Sequence, residues 1–285
     1  METARTSRAG STRRRLGVAG AAVAALLLTA GCSAQEALSF NAPDPATEEG
    51  PRIAHLWYGA WVAAAVVGVL TAGLIIYAAI RFRRRDGDPA PKQMRYNVPL
   101  EVMYTVIPLV MVLGLFAFTL RDQAVLTKVS ADAQNTVGVV GFRWSWAFNY
   151  VDDDVYDVGT AEVADMPTLY LPVDESVTFK LQSPDVIHSF WIPAFLMKMD
   201  VFPDRMNQFQ VTPNKVGEYA GRCAELCGVD HARMLFRVKV VPRAEFEQHI
   251  ASLRAKGQVG SIETDRISRE GERYWESNRY PEGTL

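Results

Sequence analysis

Four side chains within one twelve-residue stretch, Cys223, Cys227, His231 and Met234, follow one another at intervals of four, four and three. Two thiols, an imidazole and a thioether are soft donors, the set that copper prefers. Zinc rarely takes methionine, and calcium or magnesium would call for oxygens. A thiol ligates only as the thiolate, so a bound ion would hold both sulfurs ionised. A one-copper blue site uses one cysteine, two histidines and a weak axial methionine, and this stretch carries one thiolate more than that plan can use. Two sulfurs can instead bridge two copper ions, each of which then needs one further nitrogen. His231 supplies one nitrogen. Of the three remaining histidines, His55 borders an apolar run and His249 sits on a C-terminal amphipathic stretch, which leaves His188. Donor types alone keep two other readings open: a disulfide between Cys223 and Cys227, and half of a Cys-Cys-His-His zinc site.

The elements that must position these donors begin with the ends and composition of the chain. Its 285 residues allow one or two domains, and a net charge of −2 carries no basic excess of the kind that nucleic acid would attract. The apolar residues are concentrated in runs, which points to a lipid bilayer rather than to one large core. Residues 1–31 read as a bacterial export signal: Arg5, Arg8, Arg13, Arg14 and Arg15, then the apolar run Leu16 to Ala30. Leu28-Thr29-Ala30-Gly31-Cys32 resembles the lipobox of bacterial lipoproteins, which implies acylation of Cys32. The other reading is an ordinary signal peptide with an incidental cysteine. Residues 32–54, with Pro43, Pro45 and Pro51, read as an external linker.

A hairpin of two membrane spans is expected over residues 55–120. From Leu56 to Ile80 no residue is charged, long enough to cross the hydrocarbon, and Trp57, Tyr58 and Trp61 mark an interfacial end. Arg81, Arg83, Arg84 and Arg85 follow and place the next loop on the cytoplasmic side. The second span, about 100–120, returns outward through Pro108, so everything after Arg121 lies on the extracytoplasmic face. Glu101 opens that span, a position where a carboxylate must meet protein, water or headgroups.

Beyond it the pattern changes. Val137–Val140, Pro167–Leu171, Val177–Leu181, Gln208–Val211 and Leu235–Val241 are short, β-branched and separated by turn residues. Such spacing predicts an all-β sandwich or barrel over about 121–245. His188 falls in a break between strands, Ser183 to Pro193. Arg243 to Lys256 places Phe246, Ile250 and Leu253 on one helical face, followed by a polar tail to residue 285.

Cys-x-Glu-x-Cys-Gly-x-x-His-x-x-Met, with Gly217-Glu218-Tyr219 and Gly221 before it, resembles the binuclear copper loop of cytochrome c oxidase subunit II. Further similarity runs from about Leu56 to Phe246. Asp185-Val-Ile-His188-Ser-Phe matches the segment whose histidine completes the copper set, and Gly141-Phe-Arg-Trp144-Ser-Trp146 resembles the family's Gly-His-Gln-Trp-x-Trp with Phe142 and Arg143 substituted. Glu101-Val-Met-Tyr-Thr-Val-Ile-Pro108 resembles the family's glutamate followed by Trp-Thr-x-x-Pro. The resemblance implies a two-helix transmembrane hairpin followed by a cupredoxin-like Greek-key barrel in a bacterial cell membrane. It implies two copper ions held by His188, Cys223, Cys227 and His231, with weak fourth contacts from Met234 and the backbone carbonyl of Glu225. The Glu225 side chain would reach a magnesium or manganese ion shared with subunit I.

By the same resemblance Trp144 accepts electrons from cytochrome c, and Glu101 opens a proton pathway into subunit I. The chain would pass electrons to haem in subunit I, where oxygen reduction is coupled to proton pumping, with subunit III as a further neighbour. Between Asp152 and Glu175 eight acids occur with no Lys or Arg. Asp152, Asp153 and Asp154, with Asp185 added by the family match, are read as a docking patch for cytochrome c or the c-type haem domain of a cytochrome bc complex; the plain alternative is a solvated loop. Opposite charge there would chiefly speed association. The rival function is a membrane-tethered copper-delivery protein, which needs exposed, exchangeable ligands. A quinol oxidase subunit would lack the cysteines, and nitrous oxide reductase, which shares the loop, lacks the helix pair.

Overall fold

Two long helices lead into the β-domain. In the computed structural model, which describes Ser39 and residues 42–91, 93–160 and 162–262, they are α1 (Gly50–Arg81, 32 residues) and α2 (Val98–Leu126, 29 residues). The leader at 1–31, Cys32 and the tail from residue 263 lie outside the described residues. At about 1.5 Å per residue either helix outspans a hydrocarbon layer of roughly 30 Å. The expected spans fall inside them. Pro108 sits within α2 without ending it, and no residue of α2 is buried against protein. Helices apolar on every side require lipid or other helices around them. Arg52 Nη1 meets Asp122 Oδ1 at 2.9 Å, joining the start of α1 to the end of α2 in an antiparallel hairpin. At the other end, Asn97 Oδ1 accepts from Leu100 N while Glu101 Oε1 accepts from Asn97 N, a reciprocal cap for α2.

The described part of the expected linker is packed rather than free, and α1 starts at Gly50 instead of near residue 55. Ala46 and Thr47 are buried. Ala46 N donates to Ala194 O, Asn214 N donates to Ala46 O, and Glu48 N donates to Thr212 O. Proline-rich sequence looks like loop, yet its free backbone groups can be satisfied by a neighbouring segment, and here they are.

Ten strands follow: β1 (Asn135–Phe142), β2 (Ser145–Tyr150), β3 (Val155–Val158), β4 (Thr168–Pro172), β5 (Val177–Gln182), β6 (His188–Ile192), β7 (Met197–Val201), β8 (Asn207–Val211), β9 (Gly217–Cys223) and β10 (Leu235–Val241). They form two five-stranded sheets, β3-β2-β1-β5-β8 and β4-β10-β9-β6-β7, and the chain changes sheet five times. The β1–β5 and β4–β10 pairs are parallel and the other pairs antiparallel. The architecture is the expected hairpin followed by a cupredoxin-like all-β domain, its barrel flattened into facing sheets. Trp146, Phe148, Phe179, Phe190, Phe209 and Phe236 fill the space between them, with Phe190 stacked on Phe236 at 4.9 Å. Each buried phenylalanine contributes about 1.5–3 kcal/mol by leaving water. Gly221 allows this packing: a Cβ there would fall 2.1 Å from the Phe236 ring. Helix α3 (Arg243–Ala255) buries Phe246, Ile250 and Leu253, the expected face.

Candidate metal centre

Strands β9 and β10 are antiparallel neighbours, with Leu235 opposite Arg222, so residues 223–234 form an excursion whose two ends are held together. Cys223 ends β9, and its N–H donates to Met234 O at 3.0 Å, closing the base of that excursion. A 3-10 turn at His231–Arg233 then brings His231 back toward Cys227. Across the sheet Cys223 is opposite Phe190 of β6, and Ala224 N donates to Ser189 O at 3.0 Å. His188 is the first residue of β6 rather than part of a break between strands. Pro184 and Pro193 make that segment read as loop, whereas pairing to β7 and β9 makes it strand.

The donors converge. The two sulfurs are 3.9 Å apart, His188 Nδ1 lies 3.9 Å from the Cys223 sulfur, and His231 Nδ1 lies 3.6 Å from the Cys227 sulfur. Met234 Sδ is 3.7 Å from the Cys227 sulfur, and the Glu225 carbonyl oxygen is 3.2 Å from that of Cys223. Both cysteines are free thiols, which removes the disulfide reading from this structure. With metal–sulfur bonds of about 2.3 Å, one ion can touch both sulfurs up to a separation of about 4.6 Å. The donor set therefore fits a soft metal, and each sulfur has its own imidazole. His188, Cys223, Cys227 and Met234 are buried, so water is largely excluded.

Asp185 is placed by the structure beside the candidate metal ligands. Its Oδ1 lies 2.9 Å from His188 Nε2, leaving Nδ1 to face the sulfur. A carboxylate on the far nitrogen of a ligating histidine fixes its tautomer and raises its basicity. Burial works to raise the Asp185 pKa, but bonds from His188 and from the Arg143 and Val186 N–H groups hold it down at about 2. Burial likewise works to lower the His188 pKa and is outweighed by Asp185 and Cys223, so it stands above the usual value. The hydrogen bond between the thiols lowers the pKa of Cys223 and raises that of Cys227: the first proton leaves easily and the second is retained. A cation between the sulfurs would displace that second proton.

Trp144 belongs to the same cluster. It is 7% exposed, and its indole Nε1–H donates to Cys227 O at 3.2 Å. Trp146 donates to Met234 O at 3.5 Å and packs edge-on against His188.

Other expected residues lie elsewhere. Glu225 is exposed and projects from the loop whose carbonyl faces Cys223. Asp152, Asp153 and Asp154 follow the far end of β2 from Trp144, about 20 Å along a six-residue strand. Asp152 there accepts from Thr136 N, and Asp153 faces Arg254. Glu162 instead meets Arg233 of the metal loop at 3.8 Å, so the acidic run is divided between the two ends of the domain. Glu101 lies at the hairpin end remote from the β-domain, about 38 Å along α2 from Leu126. His249 stacks on Tyr170 at 3.7 Å, away from the metal loop, and His55 is an exposed residue of α1. The role that sequence reasoning missed is Asp185 as the partner of His188. An acid three residues before a candidate ligand, in a turn begun by Ser183-Pro184, is the signal that could have found it.

Comparison with known proteins agrees with this geometry. Residues 135–241 match the family model described as cytochrome c oxidase subunit II, periplasmic domain. A Streptomyces avermitilis protein named "Probable cytochrome c oxidase subunit 2" is 45% identical over 287 residues, covering 88% of this chain and 90% of its own. The Mycobacterium tuberculosis H37Rv cytochrome c oxidase subunit 2 is 30% identical, covering 83% and 81%. Among solved structures, the periplasmic domain of subunit II of cytochrome oxidase of Bradyrhizobium japonicum is 29% identical, with a TM-score of 0.43, over 45% of this chain and 99% of that one. The family match and the His188–Cys223–Cys227 cluster together point to copper as the metal. The chain belongs to the cytochrome c oxidase subunit 2 family.

Proposed function

We propose that this chain is the electron-receiving subunit of a respiratory haem–copper oxidase, taking electrons from cytochrome c or a c-type haem domain and passing them to haem in subunit I. The observation that carries the reading is the pair of sulfurs 3.9 Å apart, each facing its own imidazole. When bound, copper held by His188, Cys223, Cys227 and His231 would supply a one-electron relay.

The protein's own contribution is to hold the ligands still. Strand pairing fixes Cys223, the Asp185 contact orients His188, and Trp146 backs both the Met234 carbonyl and the His188 ring. Burial keeps water from the donors, which favours a fixed set of ligands over substrate chemistry. It also separates this reading from copper delivery, since a delivery protein needs ligands a second protein can reach. The Glu225 carboxylate, exposed beside the centre, is suited to a magnesium or manganese ion at the boundary with subunit I. Glu101 would serve proton uptake at the opposite membrane face, and the arginines after α1 support a cytoplasmic position for that face. At the metal end, Glu162, Asp165 and Asp230 offer the nearer acids for a basic haem protein; Asp185 is occupied with His188 and Arg143. Subunit III completes the proposed surroundings.

The test is oxidation of reduced cytochrome c by the assembled complex, followed by stopped flow. Trp144→Ala is expected to slow electron uptake with the copper spectrum intact. Unchanged kinetics would remove Trp144 from the route, and a chain that takes up no electrons with its copper in place would contradict the function.

A further inference from the structure

Gly228, directly after the ligand Cys227, has φ +128°, a conformation that residues with side chains rarely adopt. A Cβ built there would lie 2.9 Å from Trp144 Cζ2, 3.0 Å from Nε1 and 3.2 Å from Cε2. Three indole atoms are therefore in contact with the one position in this loop that presents no side chain to them. The same peptide group supplies the acceptor for the indole, since Cys227 O receives Nε1–H at 3.2 Å. Trp144 is tied by one edge to the backbone of a ligand and lies against the glycine that follows it.

From this contact we propose that Gly228 is a positioning residue for electron transfer: its missing side chain lets the Trp144 indole close on the Cys227 carbonyl. The inference rests on Trp144 being the receiving residue. The route it defines runs from the indole N–H through one hydrogen bond to the Cys227 carbonyl and then by covalent bonds to the Cys227 sulfur. A methyl group at position 228 has no room unless the indole retreats. Retreat lengthens or breaks that hydrogen bond while every donor atom to the metal keeps its identity.

Two readouts separate this role from a general effect on the loop. The first needs no metal: hydrogen exchange of the Trp144 indole N–H in the copper-free full-length chain in detergent, with the signal assigned by its loss in Trp144→Phe. In the natural sequence the proton is expected to be strongly protected; exchange at the rate of an exposed indole overturns the proposal, whether or not any variant folds. In Gly228→Ala the protection is expected to fall while the protection of the β9 and β10 amides is retained. Equal loss across those strands marks a structural role and counts against positioning.

The second readout is a double-mutant cycle in the assembled oxidase. Gly228→Ala is expected to slow electron uptake on the order of tenfold, as small misplacements of reacting groups do. In a Trp144→Ala background the vacated space accepts the methyl and only the strain of the positive φ remains, so the same change is expected to slow uptake less than in the natural sequence. An equal slowing in both backgrounds overturns the proposal. A Trp144→Ala variant with normal uptake instead removes the reading beneath it, a different and recognisable result.

Discussion

Two histidines, His188 buried and His249 half-buried, occupy opposite ends of the same sandwich and have opposite chemistry. His188 places one nitrogen 2.9 Å from a carboxylate and the other toward a sulfur, and its pKa is raised despite burial. His249 stacks on Tyr170, leaves Nε2 without a hydrogen-bond partner and has its pKa pushed down to about 4, by burial first and then by Lys256 and Lys239. Packing against aromatic rings is common to both. What differs is the first polar neighbour: an acid that makes the imidazole a stronger donor, against lysines that make it a weaker one. What holds the far nitrogen sets the orientation and basicity with which a histidine can ligate, and packing alone does not supply that.

The largest effect that would sharpen this contrast is expected from the sulfurs beside His188. Cys227→Ser removes the sulfur that lies 3.6 Å from His231 Nδ1 and 3.7 Å from Met234 Sδ. Copper analysis and electron paramagnetic resonance of the full-length variant should show loss of any paired signal and at most one copper per chain. Retention of a coupled pair would mean that Cys227 is not a bridge.

Next in size is the orienting acid. Asp185→Asn keeps the shape and removes the charge that holds His188, and such changes typically weaken metal binding about 10–100-fold. His249→Gln should leave copper retention unchanged. Competition with a chelator measures both, and equal retention in the two variants would erase the distinction between the histidines.

The smallest effect concerns acid stability. His249 has a folded pKa below its unfolded value, so between about pH 6.5 and pH 4 the unfolded chain binds the extra proton. Stability supplied by keeping His249 neutral is complete above that window and is lost as the pH falls through it. In the metal-free chain, His249→Phe should flatten the decline over that range, as followed by thermal unfolding at several pH values. A decline as steep as in the natural sequence would show that His249 is not the titrating group.

Legibility in the sequence followed locality. The copper loop could be read because Cys223, Cys227, His231 and Met234 lie within one short stretch, and the two helices because their apolar runs are continuous. Strands β1, β4, β5, β8 and β10 were legible as short, β-branched runs between turn residues. Strand β6 did not: five residues between prolines become a strand only when β7 and β9 pair with them. The packed segment before α1 was hidden for the same reason, since its partners Ala194 and Thr212 are more than a hundred residues away. Asp185 was visible as an acid but not as a partner of His188, because a turn had to bring its carboxylate under the ring. Dividing the acids of the 152–175 region between two ends required the reversal of the chain at β2 and β3, which charge patterning does not encode.

The most direct test is electron paramagnetic resonance combined with a copper count on the full-length chain, purified in detergent and loaded with copper. Two coppers per chain, with the hyperfine pattern of one electron shared by two nuclei, are predicted. A single-nucleus pattern with one copper per chain, a preference for zinc, or a bond between Cys223 and Cys227 in the loaded protein would contradict a sulfur-bridged pair as the centre of this molecule.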